Sequence, residues 1–166
     1  AVEALKLSKV YFIPSYIPPH KNEKIIGSKK RLKMVELAIK GNKRFAISDF
    51  EIEQKGRSYS YKTVEHFAKK FSHKAQLYFI IGGDLVAGLK SWKNIDELIK
   101  NAKFAAVTRK DFRPVKSKYP VKYISNLNLG ISSSYLRRSI RNNKSVRYLI
   151  PETVLKYINK NNLYSS

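Results

Sequence analysis

The chain contains no cysteine, which removes disulfides, thiolate nucleophiles and Cys-based zinc sites together. Histidine is scarce, and His20, His66 and His73 are too widely spaced for a metal-ligand pattern. No apolar run approaches the ~20 residues of a membrane-spanning helix. No signal-peptide pattern opens the chain, so a cytoplasmic protein with no membrane partner is expected. No Walker loop, GxGxxG or Ser–His–Asp order appears. Acidic residues are the other shortage: 12 Asp and Glu face 34 Lys and Arg, a net charge of +22. Such a field attracts polyanions. The basic residues are mainly lysines scattered along the chain, whereas nucleic-acid binders cluster arginine among aromatics. Nucleic acid and small phosphorylated substrates are both candidates, and a lysine-biased proteome, with Lys outnumbering Arg 25 to 9, accounts for the charge without either.

What is present is enough for a core. At 166 residues, 43% hydrophobic and 12% aromatic, one domain spanning 1–166 is expected. Strand-like and helix-like segments alternate. Val10-Tyr11-Phe12-Ile13, stopped by Pro14, reads as a buried strand. Phe45–Ser48, Leu77–Ile81, Phe104–Val107 and Val121–Ile124 read the same way. Between them, Ser28–Lys40 is a plausible helix ended by Gly41. Tyr61–Phe71 has helical spacing, and Asn94 with Glu97 is placed to form a capping box for Ile95–Lys100. Pro151 opens a last helix through about Asn159. This alternation predicts an α/β fold, a Rossmann-like parallel sheet with helices on both faces. Ligands in such sheets bind beyond the carboxyl ends of the strands. That rule selects Pro14–Lys21, Gly82–Trp92, Thr108–Arg109 and Gly130–Arg137.

Each of these segments has two readings. Ser132-Ser133-Ser134, ahead of a helix carrying Arg137, Arg138 and Arg141, is either an ordinary cap or an anion cradle. Pro18-Pro19-His20-Lys21 is a stiff loop whose lysine is either solvated or bound to phosphate. Gly82-Gly83-Asp84 allows close backbone approach to a ligand, with Asp84 either capping a turn or accepting from a ribose or adenine. Trp92 lies among Lys90, Ser91, Lys93 and Asn94, a polar stretch in which it either stacks on a flat ring or simply packs. The hydroxyls and free N–H groups of Ser58–Thr63 are an ordinary N-cap or a carboxylate or amide holder.

Taken in order, these segments resemble bacterial nicotinate-mononucleotide adenylyltransferases of the HxGH nucleotidyltransferase superfamily. The resemblance is carried by Phe12-Ile13-Pro14, Pro18-Pro19-His20-Lys21, Arg31-x-x-Met34, Ser58-Tyr59-Ser60-x-x-Thr63 and Phe79-Ile80-Ile81-Gly82-Gly83-Asp84. Trp92-Lys93, Ile131-Ser132-Ser133-Ser134-x-Leu136-Arg137 and the ending through Leu163-Tyr164 complete it. Phosphopantetheine adenylyltransferase shares a similar serine motif but not the other elements in this arrangement.

The resemblance implies transfer of the adenylyl group of ATP to nicotinate mononucleotide, with magnesium accompanying ATP and no tightly bound cofactor. It implies Lys21, Ser133 and Arg137 as the catalytic set and Asp84, Ser132, Ser133 and Arg137 on ATP. His20, Lys21, Ser60, Tyr61, Thr63 and Trp92 fall to the mononucleotide. A homo-oligomer is left open. A non-catalytic polyanion or nucleic-acid binder on the same fold is the rival class.

Two departures stand out. Ser60 and Ser134 replace threonines usual in the family, and Leu85 stands where Asn or Ser is common. The family also opens with a strand, a Gly-rich turn and an HxGH motif. Ala1–Leu7 reads as the tail of the helix that follows them, so a segment of roughly 20 residues, on typical element lengths, is expected ahead of it. None of His20, His66 or His73 substitutes for its histidines.

Overall fold

The computed structural model describes residues 1–18, 26–108, 114–125 and 130–165. Among them five strands form, and every ladder is parallel, as the alternation of elements predicts. The hydrogen bonding separates them into two sheets. Strands β1 (Val10–Phe12) and β2 (Phe45–Ile47) make one. Strands β3 (Tyr78–Gly82), β4 (Lys103–Thr108) and β5 (Val121–Ser125) make the other, in that order. β1 and β3 are each paired on one side only among the described residues. The chain falls into two compact units that interleave in sequence: Ala1–Leu7 with Arg57–Asn128, and Ser8–Gly56 with Leu129–Ser166.

In the first unit the pleat sorts side chains to two faces, because neighbouring residues of a strand point oppositely. Phe79, Ile81, Phe104 and Ala106 face one way, onto Val64, Val86, Leu89, Ile95 and Leu98. Those partners come from α3 (Ser60–Lys70), the 3-10 helix Gly83–Ser91 and α4 (Ile95–Asn101). Tyr78, Ala105 and Ile124 face the other way, onto Leu5 and Leu7. Ala1–Leu7 is itself helical at its close. Leu7 N–H reaches Val2 O at 2.8 Å and Lys6 N–H reaches Glu3 O at 3.0 Å, with Lys6 at φ 51°. That is the Schellman hydrogen-bond pattern, closed by a residue in the left-handed region.

The second unit packs α1 (Ser28–Ile39), α5 (Ser133–Arg141) and α6 (Glu152–Lys160) around Val154, Ile158 and Leu163, with Met34, Leu37, Ile140 and Tyr164 against them. α1 ends at Ile39, and Gly41 follows at φ +90°, the turn conformation that glycine takes without strain.

One local expectation needs correction, and two elements go beyond the sequence pattern. Asn94 does precede α4, but in the left-handed region and without a side-chain cap, and Glu97 accepts from Lys100 Nζ at 2.7 Å instead. A capping box needs an extended cap residue, so it does not form. The short α2 (Phe50–Gln54) and the 3-10 helix Gly83–Ser91 were not read from the pattern.

Candidate active site

In the second unit, α5 begins at the serine motif. Ser132 is the N-cap, with φ −124° and ψ 153°, and its Oγ accepts from the Tyr135 N–H at 3.1 Å. The cap reading of this residue is therefore met. It does not exhaust the site, because a helix start carries four unpaired N–H groups and one hydroxyl answers one of them. Among the described residues, nothing accepts from the N–H groups of Ser133 and Ser134. The first turn contains no acidic residue. Ser132 still has a hydroxyl proton to donate, and Ser133 is exposed.

Arg137 returns toward this start, its Nη2 donating to Ser134 Oγ at 3.2 Å. A cation early in a helix opposes the helix dipole, so the arrangement gains stability once an anion lies against it. Ser134 keeps the hydroxyl needed for that contact although it lacks the threonine methyl.

Tyr164, near the end of the chain, faces the same region. Burial pushes its phenol above the ordinary value of 10.0, while Arg137 and Arg31 pull it down.

In the first unit, α3 starts without any side-chain cap. Ser60 and Tyr61 present N–H groups with no acceptor among the described residues, whereas the Lys62 N–H bonds to Tyr59 O at 3.1 Å. Thr63 is buried at 3% exposure, so it forms the wall beneath this helix start and little of its surface. The Tyr59 and Tyr61 rings lie 6.2 Å apart, and Lys93 Nζ sits 4.6 Å from the Tyr59 ring centre. Lys93 puts a cation beside this helix start that the sequence reading did not single out, and its place beside Trp92 was the available signal.

For Trp92 the packing reading is met, although its sequence neighbours are polar. It closes the 3-10 helix, is half-buried, and packs edge-on to Phe79 and Phe104 at 5.9 and 6.2 Å. Trp92 and Tyr61 pack on the same apolar cluster. Asp84 lies exposed in the first turn of the 3-10 helix, and its carboxylate leans over Gly82 so closely that a Cβ there would collide with Oδ1. Leu85 beside it is 45% exposed.

Ser132, Ser133 and Arg137 are thus brought together on α5, while Ser60, Tyr61 and Thr63 share the first turn of α3, with Trp92 on the same core. His20 and Lys21 lie outside the described residues. No group of three His, Asp or Glu side chains gathers as a metal cage among the described residues, and no helix there is long and apolar enough to cross a membrane.

Residues 1–139 match the cytidylyltransferase-like family. A Geobacillus thermodenitrificans protein named "Probable nicotinate-nucleotide adenylyltransferase" is 41% identical over 166 residues, covering 99% of this chain and 76% of that protein. A Bacillus anthracis protein of the same name is 40% identical over 98% of this chain and 86% of its own length. Among solved structures, the Plasmodium falciparum nicotinic acid mononucleotide adenylyltransferase complexed with NaAD aligns with a TM-score of 0.72. It is 18% identical and is matched over 99% of this chain and 90% of that one, which establishes the shared fold. The chain belongs to the cytidylyltransferase-like family and, at this level of identity, to its nicotinate-nucleotide adenylyltransferases.

Proposed function

We propose that this protein transfers the adenylyl group of ATP to nicotinate mononucleotide, giving deamido-NAD and pyrophosphate in NAD biosynthesis. A phosphate oxygen of the mononucleotide attacks the α-phosphorus in line. The bond to the bridging oxygen breaks, and pyrophosphate leaves. No protein nucleophile is required, so the enzyme acts by placing reactants and by opposing the charge that develops. Magnesium would accompany ATP and would offset charge on its phosphates, beside the donors of Ser132, Ser133 and Arg137.

One observation carries the reading: α5 starts with two unanswered N–H groups, no acid in its first turn, and Arg137 folded over Ser134. These are the donors and the charge that a polyphosphate chain needs. Ser132, Ser133 and Arg137 are accordingly assigned to the ATP phosphates. Asp84 is assigned to the ribose or adenine of ATP. Ser60 and the Tyr61 N–H are assigned to the nicotinate carboxylate, with Thr63 supporting them and Trp92 beside the pyridine ring. His20 and Lys21 are assigned to the mononucleotide phosphate, as the resemblance implies, and Lys21 forms the catalytic set with Ser133 and Arg137.

The test is pyrophosphate release by purified protein with ATP and, in parallel, nicotinate mononucleotide, nicotinamide mononucleotide or phosphopantetheine. Turnover with the first and little with the others supports the reading. Absence of turnover together with tight, steeply salt-dependent RNA binding would replace it with the polyanion binder.

A further inference from the structure

Arginine is sparse in this chain but not evenly so. Four of its nine arginines, Arg137, Arg138, Arg141 and Arg147, crowd together, and no aspartate or glutamate occurs from Phe112 to Pro151. All four lie in the second unit, on α5 and the turn behind it. α5 buries Ser139 and packs Ile140 on the Val154, Ile158 and Leu163 core. Its other side carries Tyr135, Arg138 and Arg141, each exposed and each three residues from the next. The helix closes with Lys144 N–H on Ser139 O at 2.8 Å, and Val146, 2% exposed, pins the chain that follows. Lys144, Arg147 and Tyr148 are exposed on either side of that anchor.

The fold gives these cations no acidic partner. Every ion pair among the described residues is made by a lysine elsewhere: Lys33, Lys69, Lys100 or Lys156. Arg147 instead lies over the ring of Tyr148, 5.2 Å from its centre. Tyr148 is 88% exposed, the most open of the large apolar residues described. It also holds φ 67°, a conformation that strains a bulky residue. One face of the ring meets a guanidinium, and the other is left open to stack.

We propose that this part of the second unit binds single-stranded RNA, with Arg138, Arg141, Lys144 and Arg147 on its phosphates and Tyr148 stacked on a base. Clustered arginine along a helix, with aromatics beside it, is the footprint of a nucleic-acid surface. Arginine is weakly hydrated and forks onto phosphate, so it suits that role better than the lysines spread over the rest of the chain. An acidic protein would match the charge but leave Tyr148 unused. A duplex offers phosphates while keeping its base faces stacked on one another. An unpaired base offers Tyr148 a face whatever its identity, so binding is tolerant of sequence. RNA is the partner because its loops and ends are where unpaired bases are presented to proteins. None of these five residues is assigned to ATP or to the mononucleotide, so the inference stands apart from the adenylyltransferase reading.

The experiment titrates purified protein with a labelled single-stranded RNA of mixed sequence, about 12 nucleotides long, between about 0.05 and about 0.3 M salt. The wild type is compared with Arg138→Gln/Arg141→Gln/Arg147→Gln, with Lys74→Gln/Lys103→Gln/Lys122→Gln and with Tyr148→Gly. Each single-strand phosphate contact contributes about −0.7 to the slope of log K on log salt, so the arginine variant should lose about two from that slope. The lysine variant removes the same charge from exposed positions of the first unit and should change it little. Tyr148→Gly should bind about tenfold more weakly, as for one lost stack. It should melt no lower than the wild type, since glycine takes φ 67° without strain. Saturating ATP should leave the RNA bound, and the arginine variant should transfer adenylyl groups at the wild-type rate. Equal losses in the arginine and lysine variants would reduce the binding to the general field of the chain and overturn the site. Full binding by Tyr148→Gly, or tighter binding of duplex DNA or of an acidic polypeptide, would overturn the single-stranded partner. Displacement by ATP would move the RNA to the nucleotide site and overturn the proposal. The binding results hold whether or not the wild type turns over.

Discussion

The indole of Trp92 meets the ring of Phe79 edge to face, with centroids 5.9 Å apart and planes at 88°. Phe104 meets the same indole at 80°, so two core rings from adjacent strands hold one tryptophan at the end of the 3-10 helix. The residue assigned to the pyridine ring is thus also part of the fold. Trp92→Ala should cost about 2–4 kcal/mol of stability, as large-to-small changes at packed aromatic sites do, and raise the mononucleotide KM. Trp92→Phe should recover most of the stability while still weakening the mononucleotide. Chemical denaturation beside steady-state kinetics separates the two effects. A Trp92→Phe enzyme with unchanged KM confines the residue to packing.

Arg137 reaches Ser134 Oγ rather than a carboxylate. Replacing it therefore leaves no buried charge unpaired, and Arg137→Ala should fold nearly as well as the wild type. Its kcat/KM for ATP should nonetheless fall by about 10²–10³, the usual cost of removing a donor aimed at developing charge. Unaltered ATP kinetics would remove Arg137 from the phosphate site.

Gly82 owes its identity to close approach, since its φ of −73° suits any residue. A methyl group in Gly82→Ala would meet the end of the Asp84 side chain, which can swing aside cheaply. The melting temperature should change little, and the ATP KM should rise several-fold, within the range of one lost hydrogen bond. If Asp84→Ala shows the same ATP KM as Gly82→Ala and as the double variant, both act through the carboxylate. An ATP KM untouched by all three would exclude Asp84 from the nucleotide.

Tyr164 links protonation to stability. Burial raises its folded pKa above 10.0, with Arg137 and Arg31 acting against the rise. Above pH 10 the unfolded chain loses this proton first, so the folded state binds more protons and stability declines as pH rises. Below pH 10 the contribution is fully present. Tyr164→Phe should show a shallower alkaline decline than the wild type in urea melts between pH 9 and 11, the lysines being common to both. Identical slopes would show that the phenol is not buried as described.

The strands were legible because short β-branched and aromatic runs such as Tyr78–Ile81 are bounded by glycine or proline. Ser132 as a helix start was legible for a similar reason, since a serine ahead of Tyr135, Leu136 and Arg137 has few other uses. What escaped notice depends on three-dimensional partners. Trp92 has polar neighbours in sequence and Phe79 and Phe104 in space. Gly83–Ser91 contains Gly88 and has no clear helical period, yet Val86 and Leu89 reach the core through it. Arg31 shows the same limit, because it donates to the carbonyls of Ser15, Tyr16 and Ile26, and carbonyl acceptors leave no mark on a sequence.

The excess of lysine and arginine has a colloidal consequence. Copies of a chain carrying a net charge of +22 repel one another. The reach of that repulsion shrinks from ~30 Å at 0.01 M salt to ~3 Å at 1 M. Solutions of this protein should therefore crowd most readily at high salt, where the charge no longer keeps neighbours at a distance.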